Sequence, residues 1–284
     1  MSLKLYAKKG TKMPNPPVEI VYNINQQTKE SDFWAKTKQE LAAEKDLDVF
    51  KTWKTVNSIP IYNPNDCFNQ YRVEVEALLK NKLDDKWTKV LKEPSLGHTE
   101  ASYTAASKKA FNDTVECSAW TLKTAHHILT FEEMAGRDIT DYDQIVEFGS
   151  GIGETARMIL DLGFKGDYLL YDLPETARIS TFYLSKYDNV KAINNYTDIP
   201  QGKKTLFIGT WSLSEVPISY RNPIISHLKG NTDYLIIFQK SIWGYDNLKY
   251  FTVDFPNISN SFIKIKQIPW HAGWGGNYYL VTKK

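Results

Sequence analysis

The sequence predicts an α/β protein in which a helical N-terminal region precedes a domain of alternating strands and helices, and three observations lead there. From about residue 143 onward, short apolar runs alternate with longer segments of helical spacing. The first of these runs, Ile145-Val146-Glu147-Phe148, breaks into Gly149-Ser150-Gly151-Ile152-Gly153, with three glycines at alternate positions. The last two runs, 262–270 and 278–282, are joined by the glycine-rich turn 272–277. That connection is too short for a crossover, so the pair forms an antiparallel hairpin.

Residues 1–30 carry Lys8-Lys9-Gly10, Pro14-Asn15-Pro16-Pro17 and a polar run from Gln26 to Glu30, the composition of an arm with regular structure at most around Val18 to Tyr22. Ser31-Asp32 suits the cap of a first helix through Trp34 and Leu41. Pro60-Ile61-Tyr62-Asn63-Pro64 reads as an extended or turn segment, after which Tyr71, Val75 and Leu78-Leu79 give helical spacing over 67–83. A further helix spans 113–134, with Val115, Trp120, Leu122, Ala125, Ile128 and Leu129 on its apolar face and Gly136 ending it. Beyond it the pattern predicts strands at 143–149, 167–172, 190–194, 204–209 and 233–239. Helices at 154–162, 174–186 and, as one helix or two, 216–228 separate them. Pro174 stands at a first-turn position, where its missing N–H would have had no partner.

A chain of 284 residues with 42% hydrophobic content can fill one large core or two modest ones, and a folded enzyme is the default expectation. Its 35 basic residues against 33 acidic compel no nucleic-acid partner. The lysines from Lys80 to Lys92 are interrupted by Asp84-Asp85, the pattern of a solvated face. No segment approaches the roughly 20 apolar residues that cross a bilayer, and Met1 to Tyr6 is too short for a secretion signal, so the expected compartment is the cytoplasm. Cys67 and Cys117 lie far apart without metal-ligand spacing, which argues for reduced thiols and for no metal.

The glycine loop carries the most chemistry. Glycines there permit a tight strand-to-helix turn and let a ligand approach the backbone, while the next helix offers free N–H groups. Dinucleotide sites use G-x-G-x-x-G, whereas this chain has an acid, Glu147, followed by G-x-G-x-G. Glu147 would repel a pyrophosphate but suits an ammonium or a ribose hydroxyl, which favours S-adenosyl-L-methionine over NAD. The second predicted strand of this region, Asp167-Tyr168-Leu169-Leu170-Tyr171, ends on Asp172, 25 positions after Glu147. An acid at that strand tip accepts hydrogen bonds from a ribose. A plain βα turn is the alternative for the glycines, and an N-cap of the Pro174 helix is the alternative for Asp172.

These residues resemble the class I S-adenosylmethionine-dependent methyltransferases, whose first motif is an acid followed by G-x-G-x-G and whose second is an acid closing strand two. Tyr171-Asp172-Leu173-Pro174-Glu175 is similar to the small-molecule O-methyltransferases, and the sugar O-methyltransferase family most of all. Glu93-Pro94-Ser95-Leu96-Gly97-His98 aligns there with a loop ahead of the cofactor domain, and Ser212-Leu213-Ser214-Glu215 with the segment after strand four. The resemblance implies a Rossmann-like class I methyltransferase domain over 136–284, a mostly parallel seven-stranded sheet with a C-terminal antiparallel hairpin. Residues 1–135 are then an N-terminal arm and a helical lid or substrate region.

On this reading the cofactor is held by Glu147, Gly149, Ser150, Gly151, Gly153, Asp172 and Leu173, with Thr210 closing strand four. Adenine contacts fall among Asn194, Asn195, Tyr196 and Asp198, of which Asn195 and Tyr196 are the chosen pair; a loop turning before Pro200 explains the same residues. Plant enzymes that share Asp-Leu-Pro carry a histidine base after strand four, and this chain has none there. The base candidates are therefore His271 in the glycine-rich turn, Glu215 after strand four and His98 in the N-terminal region. Glu215 would equally start the next helix. His126-His127 read as structural, since consecutive helical positions face different sides, and His227 as a helix-end residue. Trp211, Trp270 and Trp274 offer stacking surfaces. The expected partner is a small-molecule acceptor, a sugar hydroxyl foremost, with no membrane or nucleic acid and with a homodimer left open. An RNA or protein methyltransferase, or a non-catalytic binding protein that retains the fold, is the alternative.

Overall fold

The computed structural model describes residues 39, 43, 64–80, 83–92, 108–111, 114–242, 244–268 and 276–283. The arm over 1–30, the helix expected from Ser31 and the 60–63 segment lie outside them. Helix α1 runs Pro64–Leu78 and α2 runs Asp85–Leu91. The single helix expected over 67–83 stops at Leu78 because Lys80 takes a left-handed φ of 55°. Apolar periodicity continues past that break because Leu79 and Leu83 pack on the same cluster as Leu78. Asp84 then starts α2, its side chain accepting the Trp87 N–H at 2.7 Å.

A short antiparallel pair follows, β1 (Lys108–Ala110) with β2 (Val115–Cys117), and then α3 (Ala119–Ala135). Residues 115–117 are thus strand, where helix was expected. Val115 and Cys117 are buried and Glu116 is exposed, a period of two that Trp120 and Leu122 had hidden by extending the helical face backwards. Ser118 caps α3, accepting the Thr121 N–H at 3.1 Å, and Gly136 ends it with φ 64°. Helix α3 is buried almost all round, and its buried residues include Thr121, Lys123, Thr124, His126, His127 and Thr130 beside the apolar ones.

The domain beyond alternates as the pattern requires: β3 (Gln144–Phe148), α4 (Glu154–Asp161), β4 (Asp167–Tyr171), α5 (Pro174–Tyr183), β5 (Val190–Ile193), β6 (Thr205–Thr210), α6 (Ser212–Glu215), α7 (Ile218–His227) and β7 (Thr232–Gln239). A two-stranded ribbon, β8 (Ser241–Ile242) with β9 (Tyr245–Asp246), and a helical segment over 247–259 with a π-helical turn at Tyr250–Asp254 come next. Neither announces itself in the sequence by period. The antiparallel pair β10 (Phe262–Ile268) and β11 (Asn277–Lys283) closes the chain, in register Phe262 to Lys283.

Seven strands make one sheet in the order β10-β11-β7-β6-β3-β4-β5, parallel from β5 to β7 and antiparallel at β11 and β10. Helices cover both faces, so the central strands are apolar on both sides, as in the fully buried β7. One face carries Ile145, Leu170, Leu206 and Ile237 against α1, α3 and α4; the other carries Val146, Leu169, Phe207 and Ile236 against α7 and the 247–259 segment. Because β4 lies on one side of β3 and β6 on the other, the chain reverses its direction of travel at β3. In such sheets the crevice at the carboxyl ends of the two diverging strands is where ligands bind. No helix among the described residues is long and apolar enough to cross a membrane.

Candidate functional site

The glycine loop leaves β3 at that reversal point. Gly149, Gly151 and Gly153 all have positive φ, at 73°, 56° and 88°, conformations that other residues adopt at a cost. They are not equivalent. A Cβ on Gly149 would run into the Ser212 side chain, and one on Gly153 would come within 2.9 Å of Leu184, whereas one on Gly151 would meet nothing within 4 Å. Gly149 and Gly153 serve close packing, and Gly151 keeps a space open above the loop.

Asp172 closes the loop from β4. Its Oδ2 accepts the Gly151 N–H at 3.0 Å and the Ser150 hydroxyl at 3.2 Å, and its Oδ1 accepts the Leu173 N–H at 2.7 Å. The capping alternative does not hold: the N-cap of α5 is Leu173, without a side-chain cap bond. Burial pushes the Asp172 carboxyl up to about 6 against the opposing pull of those hydrogen bonds. Oδ1 retains a lone pair for a further donor, so the pair of a carboxylate and an open glycine fits a ligand with a hydroxyl.

Glu147 lies under the loop, 1% exposed, and its Oε2 accepts the Tyr168 hydroxyl at 2.9 Å. Burial raises its pKa to about 8, opposed by hydrogen bonds from Tyr168 and Thr155 and reinforced by the nearby Asp172 and Glu154 charges. Glu154, the first residue of α4, is itself paired with Arg157 at 2.6 Å, and Arg157 also reaches Asp161 at 3.1 Å and the Val90 carbonyl of α2 at 3.2 Å. Thus α2 is tied to the helix that begins at the glycine loop.

On the β6 side, Thr210 ends the strand half-buried and Trp211 follows with φ 65°, strained for a side chain of this size. Strain of this kind costs about 1–3 kcal/mol and collects at functional sites. The Trp211 N–H donates to Ile237 O at 2.7 Å and its indole to Asn277 Oδ1 at 2.7 Å. The Ser212 hydroxyl donates to the last carbonyl of β3, that of Phe148, which locks the two diverging strand ends together. Glu215, half-buried, is the last residue of the one-turn α6 and does not start α7, whose N-cap is Pro217. Arg221 holds this turn: fully buried, it donates to the carbonyls of Ser214 and Val216 and to Asn247 Oδ1, each at 2.7 Å.

Asn195 and Tyr196 follow β5. The Asn195 side chain accepts the Thr197 N–H at 3.2 Å and so caps a 3-10 turn, while the Tyr196 ring meets His227 edge-on at 5.4 Å. Asn194, Asn195 and Asp198 are exposed. His126 and His127 both bury against Tyr279, His126 Nδ1 lying 2.7 Å from its hydroxyl; His127 also meets the Trp211 ring edge-on at 5.4 Å. Both rings therefore find one partner despite being consecutive. His98, His271, Trp270 and Trp274 lie outside the described residues.

Sequence reasoning named Ser212 only within the segment after strand four, without its bond to Phe148, and it missed Arg221 and Arg157.

No family model matches the sequence, and no curated protein does. Solved structures of similar topology include the mitomycin 7-O-methyltransferase MmcR, at 15% identity and a TM-score of 0.40 over 58% of this chain and 56% of that one. Human N-acetylserotonin methyltransferase, solved in complex with S-adenosylmethionine, matches at 14% identity and a TM-score of 0.38 over 58% of this chain and 52% of that one. A SAM-dependent methyltransferase from Aquifex aeolicus matches at 14% identity and a TM-score of 0.38 over 49% of this chain and 80% of that one. The matched segment spans little more than half of the first two proteins. At such identities the case for the site rests on its own residues.

Proposed function

We propose that the protein is an S-adenosyl-L-methionine-dependent O-methyltransferase acting on a small-molecule hydroxyl, a sugar or sugar-containing metabolite foremost. The observation that carries this reading is the closure of an open glycine loop by Asp172 at the reversal point of the sheet. The acid that precedes the loop, where a pyrophosphate would be repelled, supports a cationic cofactor over a dinucleotide.

In this reading Gly149, Ser150, Gly151 and Gly153 form the cradle, with Asp172 and Leu173 on the ribose side and Asn195, Tyr196 and Thr210 flanking it. Glu147, largely protonated near neutral pH with its pKa raised to about 8, would be drawn to its ionised form by a cation overhead and would then supply negative potential from beneath. Bound there, S-adenosylmethionine would supply an electrophilic methyl group. The chain's own task is then to hold the acceptor oxygen in line and to take its proton. Among the described residues Glu215 is the proposed base, held by the Arg221 anchor, and His271 and His98 are the proposed alternatives outside them. We place the cofactor domain at 136–284 and the acceptor-side region at 1–135.

The test is calorimetric titration of the purified protein with S-adenosylmethionine and S-adenosylhomocysteine beside an Asp172→Ala variant. Micromolar binding that the substitution removes supports the cofactor and justifies a screen of sugar acceptors. A folded wild-type protein that binds neither compound overturns the reading and favours a binding protein that keeps the fold.

A further inference from the structure

Acids gather around the glycine loop, and the cations near them are committed elsewhere. Glu147 on β3 is 1% exposed, and its partners are hydroxyls: Tyr168 of β4 at 2.9 Å and Thr155 of α4. Asp172, at the tip of β4, accepts the Gly151 and Leu173 N–H groups and the Ser150 hydroxyl. Arg157 of α4 turns to Glu154, to Asp161 and to the Val90 carbonyl, and Tyr183 of α5 adds a hydroxyl to Glu154 at 2.9 Å. Lys186 lies 3.6 Å from Asp161. On α3, which covers the same sheet face, Lys123 lies over the Trp120 and Trp211 rings, and His126 and His127 meet Tyr279. Among the described residues no ion pair reaches Glu147 or Asp172.

Ionised together, Glu147 and Asp172 would place two negative charges side by side without a counter-charge. Burial first, and then the Asp172 and Glu154 charges, hold a proton on Glu147 against the pull of its two hydroxyl donors, so its pKa lies at about 8. A cation over the loop reverses that balance. Opposite charge at close range lowers a carboxyl pKa by about 1–3, and salt screens buried charges poorly. Gly151, where a Cβ would meet nothing within 4 Å, leaves the space for such a ligand.

We propose that Glu147 is a proton-linked counter-charge: a cationic ligand enters at the glycine loop with release of the Glu147 proton, and Tyr168 holds the carboxylate that results. The O–H bond of Glu147 breaks, its electron pair stays on the carboxylate, and the proton passes to solvent. This inference rests on the reading of the protein as S-adenosylmethionine-dependent and adds to it a coupling between cofactor and pH. Two groups of such a ligand can act as the cation. S-adenosylmethionine carries a sulfonium and an ammonium, S-adenosylhomocysteine the ammonium alone, and adenosine neither.

Calorimetry of the full chain at pH 7, in buffers of different ionisation enthalpy, counts the protons released per ligand bound. With S-adenosylmethionine the wild type should release about half a proton or more, and its affinity should rise about fivefold from pH 6 to 7.5. Glu147→Gln should bind without that release and with a flatter pH profile. Tyr168→Phe leaves the carboxyl in place but removes its donor, so the pH at which affinity levels off should move upwards. Equal release with S-adenosylhomocysteine assigns the trigger to the ammonium, release with S-adenosylmethionine alone assigns it to the sulfonium, and adenosine should release none. Binding of S-adenosylmethionine without proton release, a release that survives Glu147→Gln, or a pH profile unchanged in both variants overturns the proposal while leaving the cofactor reading intact. If the folded protein binds neither S-adenosyl compound, the cofactor reading fails and the proton linkage falls with it.

Discussion

The Asp172 carboxylate accepts the backbone N–H of Gly151 at 3.0 Å, joining the tip of β4 to the middle of the loop that follows β3. Two neighbouring parallel strands are thereby joined at one edge of the sheet. Asp172→Asn keeps the shape but turns an acceptor toward donor character at the Gly151 N–H. Its expected effect is a loss of about 1–3 kcal/mol of stability, together with weaker binding of S-adenosylhomocysteine. Urea unfolding and calorimetry on the same variant measure both, and unchanged stability would show that the bond does not hold the loop.

Glu147 and Asp172 give the protein a pH-dependent stability of definite sign. Both folded-state pKa values are raised, to about 8 and about 6, above ordinary values of 4.5 and 3.8. Folding therefore retains protons on these groups, and their contribution is complete at low pH and lost as pH rises through the folded values. Between about pH 4 and 8 these groups should lower the melting temperature as pH increases. Glu147→Gln should flatten the upper part of that slope, so that the variant gains on the wild type by on the order of a few kcal/mol near pH 8. A wild-type slope unchanged in the variant would assign the effect elsewhere.

Gly149 and Gly151 should separate packing from ligand access. Gly149→Ala combines an unfavourable φ of 73° with a collision with Ser212, for an expected loss on the order of 3 kcal/mol that Ser212→Gly partly restores. Gly151→Ala meets no neighbour, so about 1–2 kcal/mol of backbone strain is expected, with a disproportionate loss of cofactor affinity. A double-mutant cycle at 149 and 212 and cofactor titrations at 151 check these outcomes.

Arg157 is the buried centre of the contacts between α4 and α2. Arg157→Met leaves Glu154, 6% exposed, without its cation beside Tyr183. The expected destabilisation is about 3–5 kcal/mol, partly recovered by adding Glu154→Gln. Denaturant unfolding of the single and double variants tests this, and additive losses would show that the pair is not coupled.

Arg221→Lys keeps the charge but cannot reproduce a fork that donates to Ser214 O, Val216 O and Asn247 Oδ1 together. A loss of about 3 kcal/mol is expected, with faster amide exchange over residues 212–216. Exchange at wild-type rates would mean that the Glu215 turn needs no anchor.

Local order settled much of this molecule in advance. The alternation of apolar runs from residue 143, the glycine triplet, the acid of Asp172 and the N-terminal proline of α5 each depend on neighbours a few positions away, and each has its expected place in the structure. Helix α3 was legible, but its start was not. Whether 115–117 join a helix or pair with 108–110 depends on a partner strand that no local period announces. The 247–259 segment stayed hidden for a similar reason: its helical turns are stabilised by packing on β7 and α7 and lack a regular apolar stripe.

For the site, the sequence by itself determined which residues the backbone conformation demands, since positive φ at Gly149, Gly151 and Gly153 is a property of the loop. Tertiary structure alone decided what those residues meet. Ser212 and Trp211 come from the end of β6, and only the sheet order β4-β3-β6 brings them beside the loop. The physical reason is range: propensity and capping act over a few residues, whereas a binding edge is assembled by strand pairing and side-chain packing between segments far apart in the chain.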